Sequence, residues 1–454
     1  MKHMTRRSFI KGAGLTLAGA TLVACSPTSS VPTSQATEVP ASQATEVPAG
    51  GESGKTVLRF ASWDSSSGQD VYNSITNEFN KTAPNIEVKV EFTPDSYDDK
   101  ILTGLAGGNA PDVFMWWNYP GLIARKGILD LTEFAALPGD KGLDLNQYYP
   151  EVLAYAKIGN ILVGTPNAFT PRAIFYNKKL FAEAGLPEPT SDWTLDEFTE
   201  IAQKLTKGEG ADKVYGMFMS PGTYHLQGYI WSNGGDWISP DGTRASGFCD
   251  SPETIEVIKW ASELVTKLGV APTDDTGTTL GGATQMFING KLAMMDNGRW
   301  PQTDLMKVEN LDFGLVLHPI NPNTKKRVTV LHTSAFCINP ATKYKDEAWQ
   351  FAKFIGGPVG NKLFGQAGWA VPALPAAVKE LGWETDPIEK VWIDAIPYAT
   401  VQPCFMRTTA WDKADSEFYN ALQSVWLGQA TPEEAMKKVA PIVDDILANA
   451  PKIS

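Results

Sequence analysis

Strand-like and helix-like patterns of apolar residues alternate through the first part of the chain. The mainly apolar run at 57–61 predicts a strand. Apolar residues that share one face through 72–79 predict a helix. Alternating apolar residues predict a strand at 86–92, followed by a helix at 97–105 and a strand at 112–115. This order predicts a mainly parallel sheet covered by helices, in which ligands bind beyond the carboxyl ends of the strands.

The stretch 159–198 changes direction several times. Strands are predicted at 161–163 and 173–176, and Pro166 and Pro171 bracket a short polar link between them that cannot be helical. Two strands joined by a rigid link are typical of a chain that leaves one lobe and enters another. We therefore expect a hinge in this stretch.

Helices dominate the rest of the pattern. Thr194 and Glu197 have capping-box spacing at the start of a predicted helix, and Thr431 and Glu434 repeat it at the start of the last one. A loop is predicted at 231–237. The other predicted elements are helices at 178–184, 252–268 and 346–355, strands at 215–219, 311–317 and 333–338, and a short helix and a strand within 287–296.

Several motifs occur in the same order as in a known family of transport proteins. They are GTP (164–166), FYNKKLFAEAGL (175–186), PTSDWTLDEF (189–198), YIWSNGGDW (229–237), FINGKLAMMDNGRWP (287–301) and GPVGNKLFGQAGWAVPAL (357–374). In these motifs the sequence resembles the extracellular solute-binding proteins of carbohydrate ABC transporters (family 1, maltose-binding-protein-like). The resemblance is collinear from about Lys55 to the C-terminus.

The resemblance implies an α/β fold of two hinged lobes, periplasmic-binding-protein-like and of type II, with a mixed sheet flanked by helices in each lobe. Several crossings between lobes make the domains discontinuous. The predicted first lobe is 55–166 plus 297–335, and the second is 167–296 plus 336–454. Hinge segments are expected within the three ranges 166–172, 295–298 and 334–339.

The first 54 residues predict export and anchoring. A twin-arginine pattern within the predicted signal peptide 1–25 precedes LVAC, which resembles a lipobox ending at the lipidated Cys25; a plain secretory signal is the alternative. Residues 26–54 are rich in Ser, Thr and Pro, contain SQATEVPA twice, and form a predicted disordered linker. The expected location is the cell envelope, on the outer face of the cytoplasmic membrane, with a lipid anchor as the only membrane contact.

Charge and cysteine content narrow the function classes. The 454-residue chain has a formal net charge of −12 and no cluster of Lys and Arg, which argues against nucleic-acid binding. Besides Cys25, the chain has Cys249, Cys337 and Cys404. These three form either one disulfide and a thiol or three buried thiols.

A sugar presents apolar C–H faces and a rim of hydroxyls, so its site needs flat aromatic side chains beside planar polar ones. Several tryptophans lie in predicted loops beside Asp, Asn or Arg. The tryptophans assigned instead to packing are Trp193, Trp260, Trp349, Trp383, Trp392 and Trp426. The candidate substrate-binding residues are Trp63, Asp64, Trp116, Trp117, Asn118, Tyr119, Asn167, Thr170, Arg172, Trp231, Asn233, Asp236, Arg299, Trp300, Trp369, Arg407 and Trp411.

The resemblance implies particular roles for some of these residues. Trp116, five residues after Pro111, matches the aromatic that stacks on sugar in maltose-binding-protein-like sequences. Thr170 stands where those sequences have a ligand-contacting acid, which leaves the sugar's identity open. Asn167 and Arg172 are expected to supply the polar contacts there instead.

No pattern favours catalysis. No carboxylate pair is singled out for glycoside hydrolysis, and the four histidines lack the spacing of a metal site, so neither a metal nor a cofactor is expected. The expected function is capture of a mono- or oligosaccharide by a monomer that delivers it to ABC permease subunits. The alternatives are a polyamine or glycerol phosphodiester as ligand, and a secreted carbohydrate-active enzyme.

Overall fold

The computed structural model describes residues 54–64 and 66–452. The predicted signal peptide 1–25, the predicted lipidation site Cys25 and all but the last residue of the predicted linker 26–54 lie outside these residues. Among the residues described, no helix has both the length and the apolar character needed to cross a membrane.

The described residues form strands and helices that alternate in the first half and are mainly helical in the second. The strands are β1 (Thr56–Ser62), β2 (Ile86–Phe92), β3 (Val113–Trp116), β4 (Lys157–Ile158), β5 (Ile161–Leu162), β6 (Thr165–Pro171), β7 (Ala173–Asn177), β8 (Tyr215–Met217), β9 (Leu292–Asn297), β10 (Phe313–Val316) and β11 (Leu331–Ile338).

The helices include both predicted capping boxes. They are α1 (Ser66–Thr82), α2 (Tyr97–Gly107), α3 (Tyr119–Ala124), α4 (Thr132–Ala135), α5 (Pro150–Tyr155), α6 (Lys178–Glu183), α7 (Leu195–Leu205), α8 (Thr223–Asn233), α9 (Pro252–Thr266), α10 (Asp274–Thr279), α11 (Gly282–Ile288), α12 (Gln302–Leu305), α13 (Lys345–Gly356), α14 (Pro358–Gln366), α15 (Pro375–Glu380), α16 (Glu389–Ala395), α17 (Trp411–Trp426) and α18 (Pro432–Ala448). Several of them, such as α3, α5 and α8, were not predicted.

The first sheet has the strand order β2-β1-β3-β11-β6. Strand β1 is parallel to β2 and β3, whereas β11 is antiparallel to β3 and β6. Helices α1, α13 and α14 pack around this sheet, where the ring of Phe60 contacts those of Phe336 and Phe351. Because β1 and β3 are parallel, their carboxyl ends meet at one edge of the sheet.

The second sheet has the order β10-β7-β9-β8, with β8 parallel to β9 and the other pairs antiparallel. A separate core, which includes Phe198, Trp237 and Phe418, lies between this sheet and the helices of the same lobe. Helices α17 and α18 pack on each other and on α9. The expected two-lobed α/β fold, with a mixed sheet flanked by helices in each lobe, is confirmed.

The chain passes from the first sheet to the second at Arg172, between β6 and β7, and returns between Val316 and Leu331. These crossings touch: the Arg172 backbone N–H donates to Thr329 Oγ1 at 3.2 Å, and that hydroxyl donates to the Arg172 carbonyl at 3.1 Å. The Thr329 N–H donates in turn to the carbonyl of Tyr398 at 3.0 Å. Three chain segments therefore meet where the lobes join.

The segments predicted as hinges differ in part from these crossings. The expected polar link at 166–171 belongs to β6; its two prolines are tolerated because β6 is the edge strand. The expected hinge 334–339 lies largely in β11, which is hydrogen-bonded on both sides, and the crossing comes earlier, at 317–330. The segment 295–298 contains the end of β9.

The predicted lobe boundaries also divide the strands differently. Strand β10 pairs with β7 in the second sheet, although 297–335 was expected in the first lobe. Helices α13 and α14 pack on the first sheet, although 336–454 was expected in the second. Apolar patterning marks an element but not its partner, so partners of distant elements could not be predicted from it.

Two local expectations bear on later residues. The predicted loop 231–237 begins inside α8, because the helix extends to Asn233 before Gly234 ends it in the left-handed conformation. Among the described cysteines, Cys249, Cys337 and Cys404 are free and buried, which decides between the two alternatives for them. The tryptophans assigned to packing are buried, apart from the partly buried Trp260.

Candidate ligand-binding site

A cavity of about 700 Å³ lies between residues of both lobes. Its first-lobe lining comes from the ends of β1 and β3, from α1, and from the segment after α14; its second-lobe lining comes from α8, α17 and the turn before α17. The lining residues are Trp63, Asp64, Tyr72, Met115, Trp117, Asn167, Ala168, Phe169, Thr170, Thr223, Tyr224, Gln227, Trp300, Val330, His332, Thr333, Ser334, Phe364, Trp369, Ala370, Phe405, Trp411 and Asp415.

Strands β6 and β11 contribute polar side chains to the lining of the cavity. Asn167 Nδ2 donates to Ser334 Oγ at 2.9 Å, so these two side chains hold each other in place. His332 pairs with Thr170 in the register of the two strands. Both strands lead directly into the crossings, so the lining is continuous with the segments that join the lobes.

The aromatic lining surrounds the cavity from both lobes. Trp63, Trp117, Trp300, Trp369 and Phe405 are partly exposed. Tyr224, at the first turn of α8, is 39 % exposed, so part of its ring is open to a ligand. Such flat surfaces suit the C–H faces of a ring that can cover them.

Tyr224 is fixed by stacking on two sides. Its ring centroid lies 4.4 Å from that of His332, and Arg172 Cζ lies 4.8 Å from the Tyr224 centroid. The His332 ring also contacts the edge of Trp300, with centroids 5.6 Å apart. The rings of Tyr224, His332 and Trp300 thus form one continuous part of the cavity wall. Arg172 packs against this wall but does not line the cavity.

Arg172 is held in place by a buried polar network. Its Nε donates to Asp296 Oδ1 at 2.9 Å, and Asp296 also contacts His318 Nε2 at 3.0 Å and accepts from the Tyr229 hydroxyl at 3.1 Å. Burial opposes ionisation of Asp296, but the charge of Arg172 and the contact with His318 outweigh it and hold the pKa of that carboxyl below its usual value. Arg172 therefore supports the site as part of an ion pair.

Asp64 is a buried carboxylate at the end of β1, only 6 % exposed. It accepts from Ser62 Oγ at 2.7 Å, and a Cβ added to Gly68 would lie 2.5 Å from Asp64 Cβ. Gly68 is therefore needed for the carboxylate to sit against α1. Burial raises the pKa of Asp64 to about 6, and the hydrogen bond from Ser62 reduces that rise.

The other titratable groups of the lining leave it acidic. Asp415 accepts a hydrogen bond from the Thr223 hydroxyl, and burial raises its pKa, as does the charge of nearby Asp412. Burial and the charge of Arg172 lower the pKa of His332 well below its usual value, so that ring is neutral near pH 7. Among the described residues, no Lys or Arg lines the cavity.

The lobes also contact each other beside the cavity. Asn118 Nδ2, just before α3, donates to Asp412 Oδ1 in α17 at 3.0 Å. The ring of Trp117 meets the edge of Phe405, with centroids 5.1 Å apart. Trp117 and Phe405 both line the cavity, so contact between the lobes and the shape of the site are coupled.

The structure brings eight of the predicted site residues into the cavity. They are Trp63, Asp64, Trp117, Asn167, Thr170, Trp300, Trp369 and Trp411. Trp63, Asp64 and Trp117 lie at the ends of β1 and β3, as the strand-end argument predicts. Their contact with a ligand stays a prediction.

The three predicted arginines lie outside the lining and are paired with carboxylates. Arg172 pairs with Asp296, Arg299 with Glu389, and Arg407 with Asp236. Sequence reasoning could identify the arginines but not their partners, because each partner is distant along the chain. The candidate Asp236 is likewise occupied by its ion pair with Arg407.

The remaining candidates are buried outside the lining. Trp116 packs edge-on against Phe114 and donates from Nε1 to the Asn118 carbonyl at 2.7 Å, so its neighbour Trp117 faces the cavity instead. Tyr119 is buried at the start of α3. Trp231 and Asn233 are buried in α8, where Asn233 Nδ2 donates to the Glu253 carbonyl at 2.8 Å.

Several lining residues were not predicted from the sequence. Thr223, Tyr224 and Gln227 lie on one side of the first turns of α8, a helix that was not predicted there. His332 is one of the four histidines whose spacing does not suit a metal site, and no other sequence pattern marks it. A strand position paired with Thr170 could have drawn attention to it, but that pairing is not visible in one sequence.

The raised pKa of Asp64 makes its ionised form destabilising in the free protein. The protonated form of Asp64 therefore contributes to the free energy of unfolding. This contribution is fully present below the unfolded-state pKa and is lost as the pH rises through about 6. Asp64→Asn, which resembles the neutral form at every pH, should therefore stabilise the protein by up to about 3 kcal/mol at pH 8 and by almost nothing at pH 4.

Urea unfolding of both proteins across this pH range measures that difference. Asp70→Asn, at an exposed position in α1, is the matched control. A difference that does not vary with pH, or a destabilised variant at pH 8, would contradict the assignment.

The Arg299–Glu389 pair is expected to be structural. Glu389→Ala leaves a guanidinium that is 2 % exposed without its carboxylate, which should cost about 3–5 kcal/mol of unfolding free energy. Asp394→Ala breaks an exposed ion pair with Lys390 on the same helix and should cost less than about 1 kcal/mol. Equal costs in urea unfolding would show that the buried pair has no special role.

Comparison with known proteins gives a consistent grouping. The family described as bacterial extracellular solute-binding protein matches residues 63–362. A putative binding protein of Brucella abortus is 23% identical over 413 residues, covering 87% of this chain and 94% of the relative. The sn-glycerol-3-phosphate-binding periplasmic protein UgpB of Salmonella paratyphi A is 23% identical over 429 residues, with 88% and 94% covered.

Among solved structures, an ABC substrate-binding protein from Listeria monocytogenes in complex with cycloalternan has a TM-score of 0.76 and 23% identity. The alignment covers 86% of this chain and 98% of that protein, and it supports the two-lobed fold. The family match extends over well over half of the chain. This chain therefore belongs to the family of bacterial extracellular solute-binding proteins.

Proposed function

We propose that this protein captures a mono- or oligosaccharide between its two lobes and delivers it to the permease subunits of an ABC importer. The observation that carries the proposal is the cavity with aromatic side chains from both lobes, including Trp63 and Trp117 from one and Tyr224 and Trp411 from the other. Sugar rings stack on such aromatic surfaces through their C–H faces. The relative from Listeria, which has cycloalternan bound, supports the same ligand class.

The polar groups of the cavity suit hydroxyls. Asn167 and Gln227 can each donate and accept, and Asp64 accepts strongly when ionised. Hydroxyl groups both donate and accept, so a sugar can satisfy all three side chains. Catalysis has no comparable support, and the proposed role is binding alone.

An anionic ligand has less support. The name of the Salmonella relative specifies glycerol 3-phosphate, and arginine side chains suit bidentate contacts with a phosphate. Here the three arginines are in ion pairs, and the lining contains two carboxyl groups, Asp64 and Asp415. A phosphate would meet negative charge without a compensating cation.

Binding is proposed to shift the lobes toward a closed state. The crossings at Arg172 and 317–330, with the contact at Tyr398, are the proposed hinge. A ligand that contacts both lobes has differential affinity for the closed state, and only that difference can shift the equilibrium. Side chains from both lobes line one cavity, which is the arrangement this mechanism requires.

The protein is further proposed to act as a lipid-anchored monomer on the outer face of the cytoplasmic membrane. Cys25 at the end of a lipobox-like sequence and the Ser/Thr/Pro-rich linker 26–54 support the anchor. The family's extracellular character agrees with this location.

Thermal unfolding of residues 55–454 with a panel of mono- and oligosaccharides tests the proposed function. A ligand at 100 times its Kd should stabilise the protein by about 2.7 kcal/mol, and its concentration should not fall with time. Trp117→Ala and Trp300→Ala should weaken binding by about tenfold or more, whereas Trp260→Phe, outside the lining, should not.

Spermidine and glycerophosphodiesters belong in the same panel. A shift with either of these and with no sugar would overturn the substrate class but keep the two-lobed binding role. Consumption of a sugar would overturn the role itself and favour an enzyme.

A further inference from the structure

We propose that the cavity selects carbohydrates that carry a protonated amine, that is, amino sugars with a free ammonium group. This inference rests on the proposed function, since it refines the ligand class of the same site. Two carboxylates, Asp64 and Asp415, line the cavity together with the aromatic wall. Neither takes part in an ion pair among the described residues.

Asp64 lines the cavity, and its hydrogen-bond partner among the described side chains is uncharged. Its described side-chain partner is Ser62, which donates to Oδ2. An ionised carboxylate can accept several hydrogen bonds, and Asp64 is part of the cavity lining. Because the side chain is 6 % exposed, bulk water compensates its charge poorly.

Asp415 approaches the cavity from the opposite lobe, on α17. Its described partner is the hydroxyl of Thr223, which is neutral. Asp412, one turn earlier on α17, adds negative charge nearby; its side chain accepts from the neutral Asn118 amide, and Arg125 offsets part of its charge. An ammonium group between the lobes would thus meet negative charge from both sides.

The cations near the site are used elsewhere. Arg172 lies behind Tyr224 and pairs with Asp296, so its charge is already compensated. His332 lines the cavity as a neutral ring, because burial and Arg172 disfavour its charged form. Closure around a neutral sugar would therefore bury Asp64 and Asp415 without a counter-charge, which is costly unless each is paired.

An ammonium group would gain from the aromatic wall as well as from the carboxylates. Cations are attracted to the faces of Trp and Tyr rings, and the wall offers partly exposed Trp63, Trp117 and Trp300. Charge-assisted hydrogen bonds to carboxylates are shorter and stronger than neutral ones. The chain's net charge of −12 also favours approach of a cation over that of an anion.

Matched sugars that differ only at the amine test the inference. Calorimetric titration of residues 55–454 would compare oligosaccharides of glucosamine, of N-acetylglucosamine and of glucose, each with the same linkage and length. The free-amine sugar should bind roughly tenfold to a hundredfold more tightly than the other two, as expected for a charge-assisted contact of about 1.5–3 kcal/mol. Spermidine, an amine without a sugar ring, should bind more weakly than the amino sugar.

Asp64→Asn and Asp415→Asn identify the groups responsible. Each should reduce the ratio of the affinity for the free-amine sugar to the affinity for the neutral sugars, and the two variants act from different lobes. The ratio is the readout because Asp64 can also accept a hydrogen bond from a neutral sugar hydroxyl. Asp304→Asn, at an exposed position that pairs with Lys307, is the control and should keep the preference.

The outcomes separate the two proposals. Equal or tighter binding of the neutral sugars by the unmodified protein would overturn the amine preference and leave the carbohydrate function standing. Tight binding of spermidine with no sugar bound would overturn the carbohydrate function and the amino-sugar assignment together. An amine preference that survives in both Asp variants would also overturn the inference, because its cause would lie elsewhere.

Discussion

The ion pair between Arg172 and Asp296 is the interaction on which the rest of the site depends. Arg172 is the residue at which the chain leaves the first sheet, while Asp296 belongs to β9 of the second. The pair is buried, and its polar atoms are shared with Tyr229 and His318, so its desolvation is offset by several hydrogen bonds. The guanidinium then supports the ring of Tyr224, which links the crossing to the cavity wall.

This arrangement explains why the charged groups among the described residues of the cavity lining are carboxylates and not cations. The positive charge of Arg172 is compensated by Asp296 outside the cavity, whereas Asp64 and Asp415 line the cavity and form no ion pair with another described residue. Burial of unpaired carboxylates lowers the stability of the free protein, and such strained groups are typical of sites whose ligand completes them. Aromatic side chains form the rest of the lining. They offer a large rigid contact surface and lose little conformational entropy when a ligand binds.

Sequence patterning predicted the elements well and their partners poorly. The two capping boxes, the alternating strand Ile86–Phe92 and the strand-end position of Asp64 depend on neighbours in sequence, which one chain displays. The place of Phe313–Val316 in the second sheet depends on pairing with a distant strand, which it does not display.

The same limit separates Trp116 from Trp117. Trp116 is the last residue of β3 and Trp117 follows it, and tertiary packing decides that the first is covered by Phe114 while the second lines the cavity. A crystal structure of the protein with its tightest-binding sugar is the most direct test of the account. We expect the sugar in the cavity, with a ring against Trp117 or Tyr224 and a polar group at Asp64. A sugar bound elsewhere, with the cavity unfilled, would contradict it.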